Sequence, residues 1–185
     1  MGFVLHRREF GASQSCSSRR KKGGPPEEPE EHALGRSRGG WGTKLHIVTD
    51  GHGTPLAIHV TPGQQHESTK FEDVLDAVRV PQAIGRPRQR PGALSGDKAY
   101  GIARIREWLK RRRIQDVIPT KSNQEPHPDF DPALYKRRNV VERCVGWLKE
   151  CRRIVTRFEK LAVNFLAMLK LAMMNRYFRL ISDTA

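Results

Sequence analysis

The chain has 185 residues and a formal net charge of +14, with 34 Lys and Arg against 20 Asp and Glu. This length supports one domain with a substantial core, and a domain this basic usually binds a polyanion, the alternative being a basic surface without a partner. Because only 7% of the residues are aromatic and the three cysteines form no CxxC or Cys/His pattern, phosphate contact is favoured over base stacking, and a disulfide scaffold or zinc site is not indicated.

Residues 1–40 show few signs of regular structure. The stretch SQSCSSRRKKGGPPEEPEEHALGRSRGG is rich in Ser, Gly, Pro and charge and has no apolar periodicity, which is typical of loops and disorder. The opening MGFVLHRREF has too short an apolar run for a signal peptide. We therefore expect a disordered or aberrant segment over residues 1–40 and one domain over residues 41–185.

Order is predicted from Thr43 onwards. TKLHIVT and PLAIHVT predict two paired strands joined by an Asp50–Gly51 turn. Ser68 is expected to cap a helix that runs to about Val78. Two histidines on the strand pair are interpreted as side chains of a half-exposed sheet: His46 and His59.

The second half of the domain alternates strands and helices. GALSGDKAY and IQDVIPT predict strands, with a helix from about Ile102 to Arg113 between them. YKRRNVVERCVGWLK predicts one continuous helix, and Phe158–Leu180 predicts a long buried helix, too short and too interrupted by Asn164 and Lys170 to span a bilayer. The order β-β-α-β-α-β-α-α indicates a sheet with helices packed on its faces.

Four polar residues stand out in the predicted helix of residues 135–149. Tyr135, Arg138, Glu142 and Lys149 follow one another at steps of three, four and seven, which places them on one stripe within roughly 60°. The apolar residues fall on the other side of the helix. Such a stripe could present a metal-binding carboxylate to a nucleic-acid phosphate, although a mid-helix Glu is more often simply solvated.

Acidic residues provide the candidate chemistry. Asp97 follows Gly96 at the end of a strand, where α/β sheets bind their ligands, with a capping role as the alternative. Together with Glu142 it would offer oxygen ligands that suit Mg²⁺ or Mn²⁺, but phosphodiester transfer with two ions normally needs a third carboxylate. Asp50 reads as a turn residue, and His66 could lie near the site.

At this point the residues resemble a known family. Tyr135, Arg138, Glu142 and Lys149 match, with their spacing, the Tyr–Arg–Glu–Lys signature of the DDE transposases of bacterial insertion sequences. The blocks GRSRGGWGTKLHIVTDGHGTPLAIHVTPGQQHES, SGDKAYG and RRIVTRFEKLAVNFLAMLKLA also look like that family, so the resemblance covers about residues 34 to 180. It implies a ribonuclease-H-like α/β fold, a mixed sheet with helices on both faces, and Mg²⁺-dependent cutting and joining of DNA.

The resemblance also implies roles for single residues. Asp97 and Glu142 would be the second and third catalytic acids and the ligands of Mg²⁺ or Mn²⁺. Tyr135, Arg138 and Lys149 would hold the phosphates of transposon-end DNA. The implied partners are DNA and a second copy in a homodimer, without a membrane, and the implied location is the bacterial cytoplasm, in association with the nucleoid.

The chain departs from the family in one residue on which catalysis depends. The family's first catalytic Asp lies on a first strand upstream of the GRSRGG block, whereas residues 1–49 here contain no Asp. The chain therefore looks like the C-terminal part of a transposase, and whether its first strand is present is left open. We expect an inactive transposase domain; the alternatives are a non-catalytic DNA-binding remnant and a basic RNA- or ribosome-associated domain, which would not explain the polar stripe.

Overall fold

The computed structural model describes residues 2–11, 32–37 and 40–182. The sequence predictions for Cys16 and for the RRKK and EEPEE runs lie outside the described residues. None of the helices in the described part of the chain has the length and apolar character needed to span a bilayer.

In the described part of the chain, six strands form one mixed sheet. They are β1 Gly2–Gly11, β2 Gly35–Ser37, β3 Gly40–Thr49, β4 Pro55–Pro62, β5 Ala93–Ser95 and β6 Gln115–Val117. The order across the sheet is β2-β3-β1-β5-β6, and β4 pairs with β3. The central strand β1 runs antiparallel to β3 and parallel to β5, so it joins the hairpin half of the sheet to the parallel half.

Within the described ranges, six helices accompany the sheet. They are α1 Phe71–Asp76, α2 Ala103–Arg111, α3 Pro132–Lys136, α4 Asn139–Glu150, α5 Arg152–Thr156 and α6 Ala162–Ser182. Two short 3₁₀ turns, Glu67–Lys70 and Lys98–Tyr100, precede α1 and α2.

The two faces of the sheet carry separate hydrophobic cores, because successive residues of a strand point to opposite sides. On one face Val48 and Leu94 pack with residues of α1 and α2, including Phe71. On the other face Leu45 and Ile47 pack with residues of α4, α5 and α6. The predicted mixed sheet with helices on both faces is therefore confirmed, and the architecture is ribonuclease-H-like.

The β3–β4 hairpin forms as its sequence predicts. Asp50 accepts hydrogen bonds through Oδ1 from the backbone N–H groups of His52 and Thr54, at 2.8 and 2.9 Å. Gly53 adopts a positive φ of 88°, a conformation that glycine reaches without strain. A Cβ at Gly53 would lie 3.1 Å from the Val140 carbonyl oxygen, so the turn also packs against the start of α4.

The N-terminal region differs from expectation. The prediction that residues 1–40 lack regular structure was wrong for Gly2–Gly11 and Gly35–Ser37, which are strands of the same sheet as the rest of the domain. The segment HRREF shows no clear strand pattern. A central strand, however, is stabilised by backbone pairing on both sides, and such a context overrides local preference.

Two helix predictions also need correction. The signature segment is not one helix, because α3 ends at Lys136 and α4 begins at Asn139, with a turn between them. Ser68 is not the cap of a helix; it lies inside the 3₁₀ turn, and the side chain of His66 accepts from the Ser68 N–H instead.

Arg157 ends α5 and holds the α5–α6 connection against the sheet. It is buried, with a left-handed backbone at φ 43°, and it donates to the Ala33 carbonyl at 3.3 Å and to Thr43 Oγ1. The long helix therefore begins only at Ala162. The prediction of a buried helix was wrong for one of its faces, where Leu171 and Phe178 are exposed.

Candidate functional site

Asp97 lies where the sequence predicts, just beyond the end of β5. It precedes the 3₁₀ turn Lys98–Tyr100 and makes no capping hydrogen bond with its side chain. The turn is held in place by Tyr100, which is fully buried and lies 5.9 Å from the ring of Phe71. A partly exposed carboxylate on a fixed turn at the carboxyl end of a strand is available to a ligand.

The central strand β1 runs beside Asp97 but brings no Asp to it. Val4 pairs with Ser95 of β5, so position 6, two residues further along each strand, is level with Asp97, and it is a His. The acid of β1 is Glu9, whose partner on β3 is Lys44. The first strand is therefore present, whereas the acid that the resemblance places on it is not.

Two buried hydroxyls flank the same stretch of β1. Thr49 and Ser95 are the register partners of Val4 on its two sides. Both side chains are buried, and in the described part of the chain neither hydroxyl oxygen has a hydrogen-bond partner. Buried polar groups without partners are rare and costly.

The signature residues stay together despite the break between α3 and α4. The guanidinium of Arg138 lies 5.5 Å from the Tyr135 ring centroid and 3.4 Å from Glu142 Oε1. The start of α3 is fixed by Asp131, whose Oδ1 accepts from the N–H groups of Ala133 and Leu134, both at 2.9 Å. Arg138 therefore links the Tyr135 ring to Glu142 across the turn.

Lys149 is placed differently. It lies exposed in the last turn of α4, seven residues after Glu142 and therefore about 10 Å further along the helix axis on the same face. This polar face therefore begins with the Tyr135 ring and the Arg138–Glu142 ion pair and ends with the exposed Lys149. Its opposite side is apolar, with Val141, Val145 and Leu148 in the core.

The segment that follows β4 contacts the segment that follows β5. The turn Glu67–Lys70 contacts the turn Lys98–Tyr100 that follows Asp97. His66 lies directly before the turn Glu67–Lys70. Its Nδ1 lies 2.8 Å from the Ser68 hydroxyl. That His66 lies near the site stays a prediction, whereas Asp50 acts as a turn residue.

A buried polar network that the sequence did not indicate supports this segment. Lys44 Nζ lies 2.9 Å from Glu67 Oε1, with both side chains at most 6% exposed, and it donates to the Gln65 carbonyl at 2.6 Å. His46 Nε2 lies 2.9 Å from Thr61 Oγ1. The sequence could have indicated this network, because Lys44 and His46 alternate with apolar residues along a predicted strand.

The interpretation of His46 as a half-exposed residue was wrong, since it is only 1% exposed. Burial, followed by the positive charges of His59 and Lys44, lowers the pKa of His46 to about 4. The physical reason is that a charged imidazole loses its hydration in the interior. The neighbouring His59 is less buried, and its pKa is also lowered by burial.

This shift predicts a pH-dependent stability. Because the folded pKa of His46 lies below its ordinary value of 6.5, its contribution to stability is complete above pH 6.5 and is lost as the pH falls to about 4. The stability lost over this range is about 3 kcal/mol. Urea unfolding of the parent chain and of His46→Asn at pH values across this window measures it. An equal loss of stability in both proteins would contradict the assignment.

Fold and site together define a ribonuclease-H-like domain with one acid just after β5 and another on α4, which packs on the sheet. A sequence profile described as "Transposase DDE domain" matches residues 20–175, and the chain belongs to this family of DDE transposases. A Burkholderia cepacia protein named as a transposase for insertion sequence element IS402 is 37% identical over 131 residues, 70% of this chain. A Brucella ovis protein named as a transposase for IS6501 is 32% identical over 134 residues, again 70% of this chain.

The coverage of these two relatives differs. The match spans 60% of the Burkholderia relative and 93% of the Brucella relative. Assignment to the insertion-sequence transposases thus agrees with the Tyr–Arg–Glu–Lys signature, and it is independent of the acid that β1 lacks.

Proposed function

We propose that this chain is an insertion-sequence transposase domain that binds transposon-end DNA but neither cuts nor joins it. The observation that carries the proposal is the central strand β1, which runs past Asp97 without an Asp. The remaining family elements are all represented: Asp97 beside β1, Glu142 on α4, and cations around Glu142.

The metal site is proposed to be incomplete. Asp97 and Glu142 would hold Mg²⁺ or Mn²⁺, since these ions prefer carboxylate oxygens, and such an ion would polarise the phosphodiester that is attacked. Among the described residues, however, no three His, Cys, Asp or Glu side chains lie close enough to hold a metal together. Two carboxylates fit one weakly bound ion, and they do not fit a two-ion site, which needs a bridging acid.

DNA binding is proposed to use the face that contains Glu142. Arg138 and Lys149 would contact phosphates, and the phenol of Tyr135 would donate to a phosphate oxygen. The net charge of +14 favours this partner, and binding through phosphates is steeply salt-dependent. The domain is further proposed to act as a homodimer in the bacterial cytoplasm, near the nucleoid.

Substitution of the two cations tests the DNA-binding proposal. Arg138→Ala and Lys149→Ala are each expected to weaken binding of an element-end duplex by about 10-fold and to reduce the salt slope by about one. Fluorescence anisotropy titrations at several salt concentrations measure both effects. Lys170→Ala, an exposed cation on α6, is the matched control, and an equal loss in this variant would refute the proposed binding face.

A non-catalytic remnant that inhibits full-length copies is the second candidate, favoured by the same absence of an Asp from β1. A strand-transfer and nicking assay with Mg²⁺ compares the chain with Glu142→Gln. Absence of turnover in both proteins supports either a binding-only domain or an inhibitor, and adding the chain to an active transposase separates these two. Turnover that Glu142→Gln abolishes would show instead that two acids suffice.

A further inference from the structure

Helix α6 carries a second apolar face that does not contact the sheet. Its inner face packs against the sheet through Phe165, Leu169 and Met173, which are buried. About 160° around the helix, by the rotation of about 100° per residue, lies an outer stripe. The outer stripe consists of Val163, Ala167, Leu171, Met174 and Phe178, all of them exposed.

The exposure of the outer stripe is large. Val163 is 67% exposed, Leu171 56%, Met174 51% and Phe178 62%. Single exposed apolar residues are common on protein surfaces, whereas a contiguous apolar stripe marks an interaction site. None of its five members is charged, so the stripe offers no contact to a DNA phosphate.

The spacing of the stripe favours a helical partner. Ala167, Leu171, Met174 and Phe178 follow at steps of four, three and four, a repeat of about 3.5 residues that is typical of a helix–helix seam. A groove of about 430 Å³ lies beside the stripe and shares Met174 with it, and its other wall is the start of β4. Side chains of a partner helix could enter this groove.

We propose that the outer stripe is the contact surface between two copies of this chain. A two-fold axis across α6 would pack each stripe against its counterpart, because one patch serves both partners in such a dimer. The four large side chains are each more than half exposed, so two copies with their flanking residues would bury on the order of 1,000 Å², the lower limit of a specific interface.

This inference deepens the proposed homodimer by naming its surface, and it does not depend on DNA cleavage. The stripe lies on α6, while the proposed DNA-binding residues lie on α3 and α4. Loss of the dimer and loss of DNA binding are therefore separable, since each can be measured without the other.

Analytical ultracentrifugation of the DNA-free chain over a range of protein concentrations tests the proposal. The parent chain is expected to dimerise, and Leu171→Glu and Phe178→Glu are each expected to raise the dimer dissociation constant about 100-fold or more. Arg179→Glu changes the charge by at least as much at an exposed position of α6, about 120° around the helix from the middle of the stripe, and should leave dimerisation unchanged. Both substituted side chains are exposed, so circular dichroism should show unaltered folding.

A parent chain that stays monomeric at every concentration would overturn the proposal. So would a dimer that persists in Phe178→Glu and Leu171→Glu with its dissociation constant unchanged, since the contact would then lie elsewhere. Equal weakening by Arg179→Glu would point to a general effect of charge on α6 and would also count against the stripe.

Discussion

Glu67→Gln is expected to lower the free energy of unfolding by about 3–5 kcal/mol, because it leaves a buried ammonium group without its counter-charge. Lys44 and Glu67 are 4% and 6% exposed and lie 2.9 Å apart. Once the carboxylate is gone, Lys44 retains its bond to the Gln65 carbonyl at 2.6 Å, which does not balance a full charge. Urea unfolding at neutral pH, with a two-state fit, measures the difference.

A double variant separates the cost of a broken pair from the value of an intact one. Lys44→Met with Glu67→Leu removes both charges, and replacing a buried ion pair by apolar side chains is often neutral or stabilising. We therefore expect the double variant to regain most of the stability that Glu67→Gln loses. A double variant as unstable as the single one would show that hydrogen bonds, not charge balance, dominate here.

An exposed ion pair on the neighbouring turn provides the matched control. Lys70 and Asp73 lie 2.8 Å apart with side chains 33% and 57% exposed, and such pairs contribute about 0–1 kcal/mol. Asp73→Asn should therefore have a small effect. Comparable losses in Asp73→Asn and Glu67→Gln would contradict the assignment of a buried pair.

The Lys44–Glu67 pair also bears on function. The turn that begins with Glu67 contacts the turn that follows Asp97, so the pair positions the segment beside the candidate metal-binding carboxylate. Displacement of a catalytic group by about 1 Å can cost about 100-fold in rate. A transposase of this family with an intact set of acids should therefore be sensitive to the loss of the equivalent ion pair.

Patterns within short segments made much of this fold predictable from the sequence. The β3–β4 hairpin follows from two alternating segments around Asp50–Gly51, and α2 follows from the helical spacing of Ile105, Trp108 and Leu109, all of which are buried. Asp97 could be placed at a strand end because β5 and its glycine are adjacent in sequence. Each of these inferences needs only neighbouring residues.

Features that depend on distant residues escaped prediction. A strand and a loop separate Lys44 from Glu67 along the sequence, and no local sequence pattern predicts that the two side chains pair. Strand β1 pairs with strands on both sides, where Val48 faces Leu5 and Ser95 faces Val4. Its own polar sequence does not predict a strand. The break before Asn139 was also missed, because the YKRRNVV segment has no Pro or Gly that would indicate it.

The largest functional effect is expected from His6→Asp. This substitution gives β1 an acid at the same level of the sheet as Asp97. Position 6 pairs with Ile47, and Ile47 packs in the core shared with α4. Alternation along the strand therefore places position 6 on the sheet face that α4 covers. An acid there would join Asp97 and Glu142 as the third carboxylate that a two-ion site requires.

We expect His6→Asp to bind Mn²⁺ more tightly than the parent chain and to nick element-end DNA at least about 100-fold faster in Mg²⁺. Isothermal titration calorimetry measures the binding independently of activity, and a plasmid-nicking assay measures the cleavage. Adding Glu142→Gln or Asp97→Asn to His6→Asp should remove both gains, because each substitution takes away one of the three acids.

Arg7→Asp is the matched control, since it adds an acid one residue further along β1. Its partner is His46, so alternation assigns position 7 to the other face of the sheet, away from α4. This variant should gain neither metal affinity nor nicking. A folded His6→Asp chain that binds no Mn²⁺ would show that Asp97 and Glu142 do not converge on one ion, and the proposed metal site would have to be abandoned even though the family assignment would stand.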